Sequence, residues 1–213
     1  ETGRWQLLTV AWNDARSSGI FLDTALYNTA MSAFEKAHQW TMSLDVWGEM
    51  QKTNAMPDTV SLNVAIAACA RGSLWADALW LLRHAGSMAL QPDQVSCTLA
   101  LRACSTGQMG HFVPWVLQEM RSQHVLPNMI SFVAAISAGG WPLSCQLLRD
   151  MRLDGLIPSS VCYNAAINSC TSASMWRQGL ALLEELQTAA VQPNIIGYNA
   201  AIKGCERGSE WQQ

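Results

Sequence analysis

The chain has 213 residues, half of them hydrophobic and only 14% charged, and its formal net charge is −3. This composition supplies enough apolar surface for a well-packed protein. No run of 18 apolar residues occurs, so no transmembrane span is predicted.

Prolines, tryptophans and cysteines recur along the chain with one shared period. The prolines are separated by 35, 35, 31 and 35 residues, and they are Pro57, Pro92, Pro127, Pro158 and Pro193. The tryptophans keep this interval at Trp5, Trp40, Trp75, Trp141, Trp176 and Trp211, with Gly110 in the missing slot. The cysteines keep it at Cys69, Cys104, Cys170 and Cys205. Three residue types share one period and one deletion near Gly139, which indicates internal repeats.

Within each repeat the apolar residues follow the period of an α-helix. The first helix is indicated by Tyr163, Ala166, Ile167 and Cys170, and the second by Trp176, Leu180 and Leu183. An Asp or Asn after the proline, as in Pro57-Asp58, offers an N-cap to the first helix. We therefore expect each repeat to be a pair of helices.

One pair of helices cannot bury its apolar face alone, so stacked repeats are expected to form an all-α protein, an α-solenoid. The expected order is a partial repeat with only a second helix, four full repeats around one shortened repeat, and a partial repeat with only a first helix. Their bounds are 1–23, 24–58, 59–93, 94–128, 129–159 (shortened), 160–194 and 195–213. Because both ends cut a repeat, we expect a segment of a longer solenoid.

The sequence shows no catalytic apparatus. The seven cysteines form no C-x-x-C pair, and four of them lie on the predicted buried face, as expected for core residues in a reducing compartment. The histidines fall at four different points of the repeat: His38, His84, His111 and His124. We therefore predict no catalytic residue, no metal site, no cofactor and no small-molecule substrate.

The repeat is a 35-residue unit with "PD" or "PN" at its end, a first helix like "xVSYNxxIxxC" and a second helix like "ALxLLxxM". This unit resembles the pentatricopeptide repeat of organellar RNA-binding proteins. The resemblance covers essentially the whole chain. The tetratricopeptide repeat fits less well, because its Trp signature lies early in the first helix, whereas Trp here lies between the helices. The resemblance implies a right-handed superhelix and a location in a chloroplast or mitochondrion.

In that family the fifth and last residues of one repeat read one base together, and the second residue packs against the base. By this resemblance the base-reading residues form four pairs, which we call the reading pairs: Asn28 with Asp58, Asn63 with Asp93, Thr98 with Asn128, and Asn164 with Asn194. Asn199 is a fifth base-reading residue, whose partner lies beyond the given sequence. The shortened repeat has Val133 with Ser159 at the same two positions. The base-packing residues are Val60, Val95, Ile130, Val161 and Ile196. The order of pairs implies a strand 5′-U-U-A-N-(C/U)-3′.

The residues at positions 2, 5, 9 and 13 of each repeat share one helix face, apart from the Tyr/Ile/Cys core face. These 24 positions hold five basic residues and no acidic one, where simple proportion would place about 1.5 and 1.8. The basic residues, predicted to contact phosphate, are Lys36, Arg71, Arg102, Lys203 and Arg207. The helix dipole alone also favours a cation near a helix end.

Two functions remain open from the sequence. The favoured one is a sequence-selective module for single-stranded RNA, acting in RNA processing, stability or translation. The alternative is a scaffold that binds protein subunits of a large organellar complex, such as a ribosome or a photosynthetic or respiratory assembly. Low charge and the deviating residues Val133 and Ser159 favour the scaffold, while the four reading pairs favour RNA.

Overall fold

The structure is a computed structural model of the chain and describes residues 4–18, 22–53, 55–189 and 194–207. These residues contain twelve α-helices and no β-strand, which confirms the all-α prediction. The helices are α1 (Arg4–Ser17), α2 (Thr24–Lys36), α3 (Trp40–Met50), α4 (Thr59–Arg71), α5 (Trp75–His84), α6 (Gln94–Thr106), α7 (Val113–Ser122), α8 (Met129–Ala138), α9 (Gly140–Leu153), α10 (Ser160–Ser172), α11 (Trp176–Thr188) and α12 (Ile195–Arg207). Short 3₁₀ turns follow α5 at Ala85–Met88 and precede α7 at Gly110–Phe112.

The chain forms two compact units, Glu1–Gly107 and Gln108–Gln213. In the first unit, α4 packs against its partner α5 and against the first helices of both adjacent repeats, α2 and α6. In the second unit, α10 packs in the same way against α11, α8 and α12. This repeat-on-repeat packing is that of an α-solenoid, so the predicted fold class is confirmed. The division into repeats stays a prediction, and the positions within a repeat are numbered from its predicted first residue.

The residue after the inter-repeat proline caps the first helix, as predicted. The Asp58 carboxylate accepts the backbone N–H of Ser61 at 2.8 Å, and Asp93 accepts that of Ser96 at 2.9 Å. Such a cap satisfies an N–H group that has no partner within the helix. The same bond is made by Asp23 to Leu26, Asn128 to Ser131 and Asn194 to Gly197. Ser159 begins α10 without a side-chain cap bond.

The predicted core face of the first helix is buried: Tyr163, Ala166, Ile167 and Cys170 have no exposed surface. The second helix is also present, as α11, although its periodic apolar residues Leu180 and Leu183 are only half-buried. The buried residues of α11 are Gly179, Leu182 and Leu186. Gly179 faces α10, and a Cβ there would lie in ordinary van der Waals contact, 3.8 Å from the Cβ of Cys170.

The recurring tryptophan packs on the glycine that follows the first helix of the next repeat. A Cβ at Gly107 would lie 2.5 Å from the Trp75 ring, and one at Gly72 would lie 2.8 Å from the Trp40 ring. Such distances are too short for an unstrained side chain. Gly110 is instead approached by the backbone of the shortened repeat, because a Cβ at Gly110 would overlap the Ala138 carbonyl oxygen. Gly110 therefore takes the tryptophan slot where a large ring has no room.

Three of the four periodic cysteines are buried, and Cys205 is half-buried. All seven cysteines are free thiols. Burial raises the pKa of Cys69 to about 12 and that of Cys104 to about 11, so both remain protonated and serve as small core residues.

Candidate functional site

Two of the predicted reading pairs are in direct contact in the first unit. The side-chain amide of Asn28 donates to the Asp58 carboxylate oxygens at 3.0 and 3.2 Å. The amide of Asn63 donates to Asp93 at 3.3 Å to each oxygen. Each bond joins the second turn of one repeat's first helix to the N-cap of the next first helix, so the cap also positions the asparagine.

Serine completes each of these contacts, and the sequence analysis did not single it out. The Ser61 hydroxyl lies 2.6 Å from the Asn28 amide oxygen, and the Ser96 hydroxyl lies 2.5 Å from that of Asn63. Both serines also close a capping box with the aspartate three residues before them. Serine three residues after Asp is a sequence signal for such a box, although nothing in it indicates the bond to the preceding repeat.

The Asp58 carboxyl is held in its ionised form. Burial alone would raise its pKa, but hydrogen bonds from Ser61, from Asn28 and from the Val60 backbone outweigh burial, so the pKa lies below the ordinary value of 3.8. The pair therefore presents an acceptor with negative charge beside the asparagine amide at neutral pH.

The five predicted base-packing residues are apolar side chains that stay more than half exposed in the described structure. They are between 53% and 65% exposed, although each lies in the first turn of a helix whose core face is buried: Val60, Val95, Ile130, Val161 and Ile196. Branched apolar side chains at one recurring exposed position form a surface on which planar rings can pack.

In the second unit, Asn164 donates to the amide oxygen of Asn194 at 2.9 Å. This pair lies in a cleft of about 390 Å³. The cleft joins positions 2, 5, 9 and 13 of one repeat to residues from the repeats before and after it. Its lining is Val133, Ser137, Val161, Asn164, Ala165, Asn168, Ser169, Ser172, Asn194 and Ile196. The predicted face of this repeat is therefore one wall of a continuous cleft.

The other predicted reading residues are divided between the two units. Thr98 lies in the first unit on α6, and Asn128 lies in the second as the cap of α8. Asn199 is exposed on α12. In the shortened repeat, the Ser159 hydroxyl lies 3.6 Å from the Cys162 thiol.

The predicted phosphate-binding cations differ in their surroundings. Arg71 forms a salt bridge with Glu35 and contacts His38 Nδ1 at 3.3 Å, so a neighbouring carboxylate, at a position outside the predicted face, offsets its charge. Lys36, Arg102 and Lys203 are exposed, and none of them forms a salt bridge within the part of the chain that the structure describes. The side chain of Arg207 lies outside the described part.

The described residues provide no metal-binding cluster and no membrane-spanning helix. Across residues 4–18, 22–53, 55–189 and 194–207, no group of three or more His, Cys, Asp or Glu side chains is placed to hold a metal ion. No described helix combines the length and hydropathy that crossing a membrane requires.

Comparison with known proteins gives one family and one recurring fold. In structure, the chain is similar to the pentatricopeptide repeat protein PPR10 in complex with an 18-nt psaJ RNA element, with a TM-score of 0.78 and 19% identity. A cysteine-to-serine variant of PPR10 with the same RNA element gives the same values. Both matches cover 99% of this chain and 31% of PPR10. PPR10 from maize matches with a TM-score of 0.47 and 18% identity, over 98% of this chain and 35% of PPR10.

The present chain thus spans about a third of the length of PPR10. No curated protein matches it in sequence. The family profile described as pentatricopeptide repeat domain matches residues 81–140 and 146–207, and the profile described as PPR repeat matches residues 25–54. Together these matches cover more than half of the chain, which belongs to the pentatricopeptide repeat family.

Proposed function

We propose that this chain is a sequence-selective binding module for single-stranded RNA, with one nucleotide taken by each repeat. The observation that carries the proposal is the geometry shared by two successive repeats. In each, an asparagine contacts the aspartate 30 residues later, and an exposed valine follows that aspartate by two positions. A pair of hydrogen-bonding groups beside an apolar surface is what an unpaired base needs for edge contacts and packing.

The hydrogen bonds within the protein leave capacity for a base. An amide carries two N–H donors and two acceptor lone pairs, and the contacts of Asn63 with Asp93 and Ser96 use one of each. The remaining donor and acceptor can meet a Watson–Crick edge. By resemblance to the family, the order of pairs corresponds to 5′-U-U-A-N-(C/U)-3′, with no preference opposite Val133.

The cleft of the second unit supports the same reading. It joins one reading pair, Asn164 with Asn194, to two exposed packing residues, Val161 and Ile196, from successive repeats. A base held between such apolar side chains would have its edge close to the amides. Similarity to PPR10, whose structure contains an 18-nt RNA element, adds support from the fold.

We further propose that the module is not itself an enzyme and acts in the processing, stability or translation of organellar RNA. This part rests on family membership. Imaging of the tagged protein together with chloroplast and mitochondrial markers would test the location.

A protein scaffold is the second candidate, and one observation favours it. Trp80 is 51% exposed on the second helix α5 and stacks on His84 with ring centroids 4.5 Å apart. Exposed aromatic side chains are enriched at protein interfaces. A scaffold would use such second helices, whose charged residues include Asp45, Glu49, Asp150 and Glu184, and would not need the reading pairs.

Fluorescence anisotropy separates the RNA-binding function from the scaffold function. The probe is a fluorescein-labelled RNA that contains 5′-UUAAC-3′ between flanking nucleotides. The RNA proposal predicts tighter binding than to the same strand with its first two uridines replaced by guanosines, and equal affinity for Trp80→Ala. Equal affinity for both strands, together with loss of a protein complex on Trp80→Ala, would favour the scaffold.

A further inference from the structure

The third residue of the first helix determines how firmly the preceding repeat holds its asparagine. Ser61 has one hydroxyl proton, and its oxygen accepts the backbone N–H of Asp58 at 3.2 Å. Two oxygens can accept this proton: the Asn28 amide oxygen lies 2.6 Å from the Ser61 hydroxyl oxygen, and an Asp58 carboxylate oxygen lies 2.8 Å from it. Because the Asp58 oxygen already accepts other N–H groups, the proton belongs on the shorter contact, to Asn28.

This arrangement favours one orientation of the amide. If the Asn28 amide rotated by half a turn, its oxygen would face the Asp58 carboxylate, and this contact would be repulsive because a carboxylate only accepts hydrogen bonds. The Ser61 hydroxyl would also lose its bond to the Asn28 oxygen and would have to turn its proton to Asp58. Ser96 fixes Asn63 in the same way, at 2.5 Å from the amide oxygen and 3.1 Å from the Asp93 nitrogen.

In α12 of the second unit, glycine stands at this position. Gly197 follows the cap Asn194 by three residues, as Ser61 follows Asp58, and it offers no hydroxyl. The amide oxygen of Asn164 is buried and has no hydrogen-bond partner among the residues that the structure describes, and Asn164 is only 6% exposed where it lines the cleft. That oxygen occupies the space of the missing side chain, 2.7 Å from where a Cβ of Gly197 would lie.

A buried amide oxygen without a donor is costly, and Asn164 reduces the cost by any rotation that brings this oxygen to a donor. Within the described ranges, the hydrogen bond that holds its amide is the one to Asn194. Asn194 is a neutral amide and therefore opposes such a rotation less than the carboxylates of Asp58 and Asp93 do.

We propose that the hydroxyl at the third position of a repeat sets how selectively the preceding asparagine reads its base. Ser61 and Ser96 are positioning residues that give Asn28 and Asn63 one fixed pattern of donor and acceptor. Gly197 leaves Asn164 free to turn its oxygen toward an N–H donor of the bound base, so the cleft accepts more than one base. This inference rests on the proposed RNA-binding function.

The test uses the full chain and RNA strands that vary one base at a time in 5′-UUAAC-3′. Ser96→Ala should lower the ratio of best to worst affinity at the second base about tenfold, the effect of one lost hydrogen bond, and leave the fifth base unchanged. Gly197→Ser displaces the end of the Asn164 amide, because its Cβ would lie 2.7 Å from the present position of the oxygen. With the amide shifted to meet the new hydroxyl, the ratio at the fifth base should rise about tenfold and the second should be unchanged. Ser96→Thr keeps a hydroxyl and should preserve the wild-type ratio, and Ser61→Ala repeats the test at the first base.

The inference is overturned if RNA binds selectively and these ratios do not move. Failure of the proposed function is a different result, in which the wild-type chain binds none of the strands. In that case proton exchange of the ¹⁵N-labelled asparagine amides, assigned with Asn63→Ala and Asn164→Ala, decides about the serines. Faster exchange at Asn63 in Ser96→Ala, and slower exchange at Asn164 in Gly197→Ser, would support the positioning role, and unchanged rates would refute it.

Discussion

The side-chain amide of Asn28 donates to the carboxylate of Asp58 at 3.0 Å, across 30 positions of sequence. Asp58 is at the same time the N-cap of the next first helix. The residue that begins one repeat's helix therefore also positions the polar group of the repeat before it. Stability and the proposed base recognition depend on the same bond, which makes their separate effects measurable.

Truncation of two equivalent asparagines should have unequal effects on stability. Asn63→Ala removes two hydrogen bonds, one to Asp93 and one from Ser96, and should lower the free energy of unfolding by about 1 kcal/mol. Asn164→Ala also removes an amide oxygen that lacks a partner, so its cost should be smaller. Urea unfolding followed by circular dichroism measures both, with the exposed Asn168→Ala as control. An equal or larger loss for Asn164→Ala would contradict the unpaired oxygen.

The Asp58 contact should make stability depend on pH in the acid range. Because the folded-state pKa is lowered, the ionised carboxyl stabilises the fold above its ordinary pKa of 3.8, and this stabilisation is lost as pH falls through the folded value. The difference in free energy of unfolding between wild type and Asp58→Asn should therefore be constant from pH 7 to about pH 5 and shrink below about pH 4. A difference that grows toward acid pH would have the wrong sign. Asp45→Asn, on an exposed position of α3, is the control.

Salt should weaken RNA binding only moderately. Each neutralised phosphate contributes a slope of about −0.7 in log affinity against log salt concentration, so three to five cations give about −2 to −3.5. Arg102→Glu should weaken binding to all sequences about equally. Arg71→Glu should weaken it less, because Glu35 already offsets the Arg71 charge. A slope steeper than about −5, or a larger effect of Arg71, would show that other cations contact the phosphates.

The close contact between Gly107 and Trp75 should make a methyl group costly. Gly107→Ala places a carbon 2.5 Å from the ring and should destabilise the first unit by about 1–3 kcal/mol. Gly48→Ala is the matched control, because no atom of another residue lies within 4 Å of the Cβ position. Alanine is also more stable than glycine inside a helix, so this variant should be slightly stabilised. Thermal unfolding should therefore shift in opposite directions for the two variants, and a shift in the same direction would argue against the packing contact.

The sequence was sufficient for the helix pairs, the caps and the core of the first helices, because these follow from local spacing. Asp58 as a cap and Cys170 as a core residue depend only on neighbours within a few positions. The bond from Ser61 to Asn28 and the salt bridge from Arg71 to Glu35 could not be predicted in this way. They join residues 33 and 36 positions apart, and their formation depends on how far one repeat is rotated relative to the next.

The buried face of α11 shows the same limit within one helix. The spacing of Leu180 and Leu183 indicated the helix, but the residues that α11 buries are Gly179, Leu182 and Leu186. Periodicity identifies an apolar face, whereas packing against the neighbouring helix decides which of its residues are fully covered.

The most direct test of the central claim is a change of base preference by exchange of one reading pair. Asn63→Thr with Asp93→Asn converts that repeat to the combination found at Thr98 and Asn128, which by family resemblance favours adenine. The account predicts that the double variant prefers 5′-UAAAC-3′ over 5′-UUAAC-3′ by about tenfold or more, the reverse of the wild-type preference, in competition anisotropy measurements. Equal affinity of both proteins for the two strands would contradict the claim that these pairs read bases.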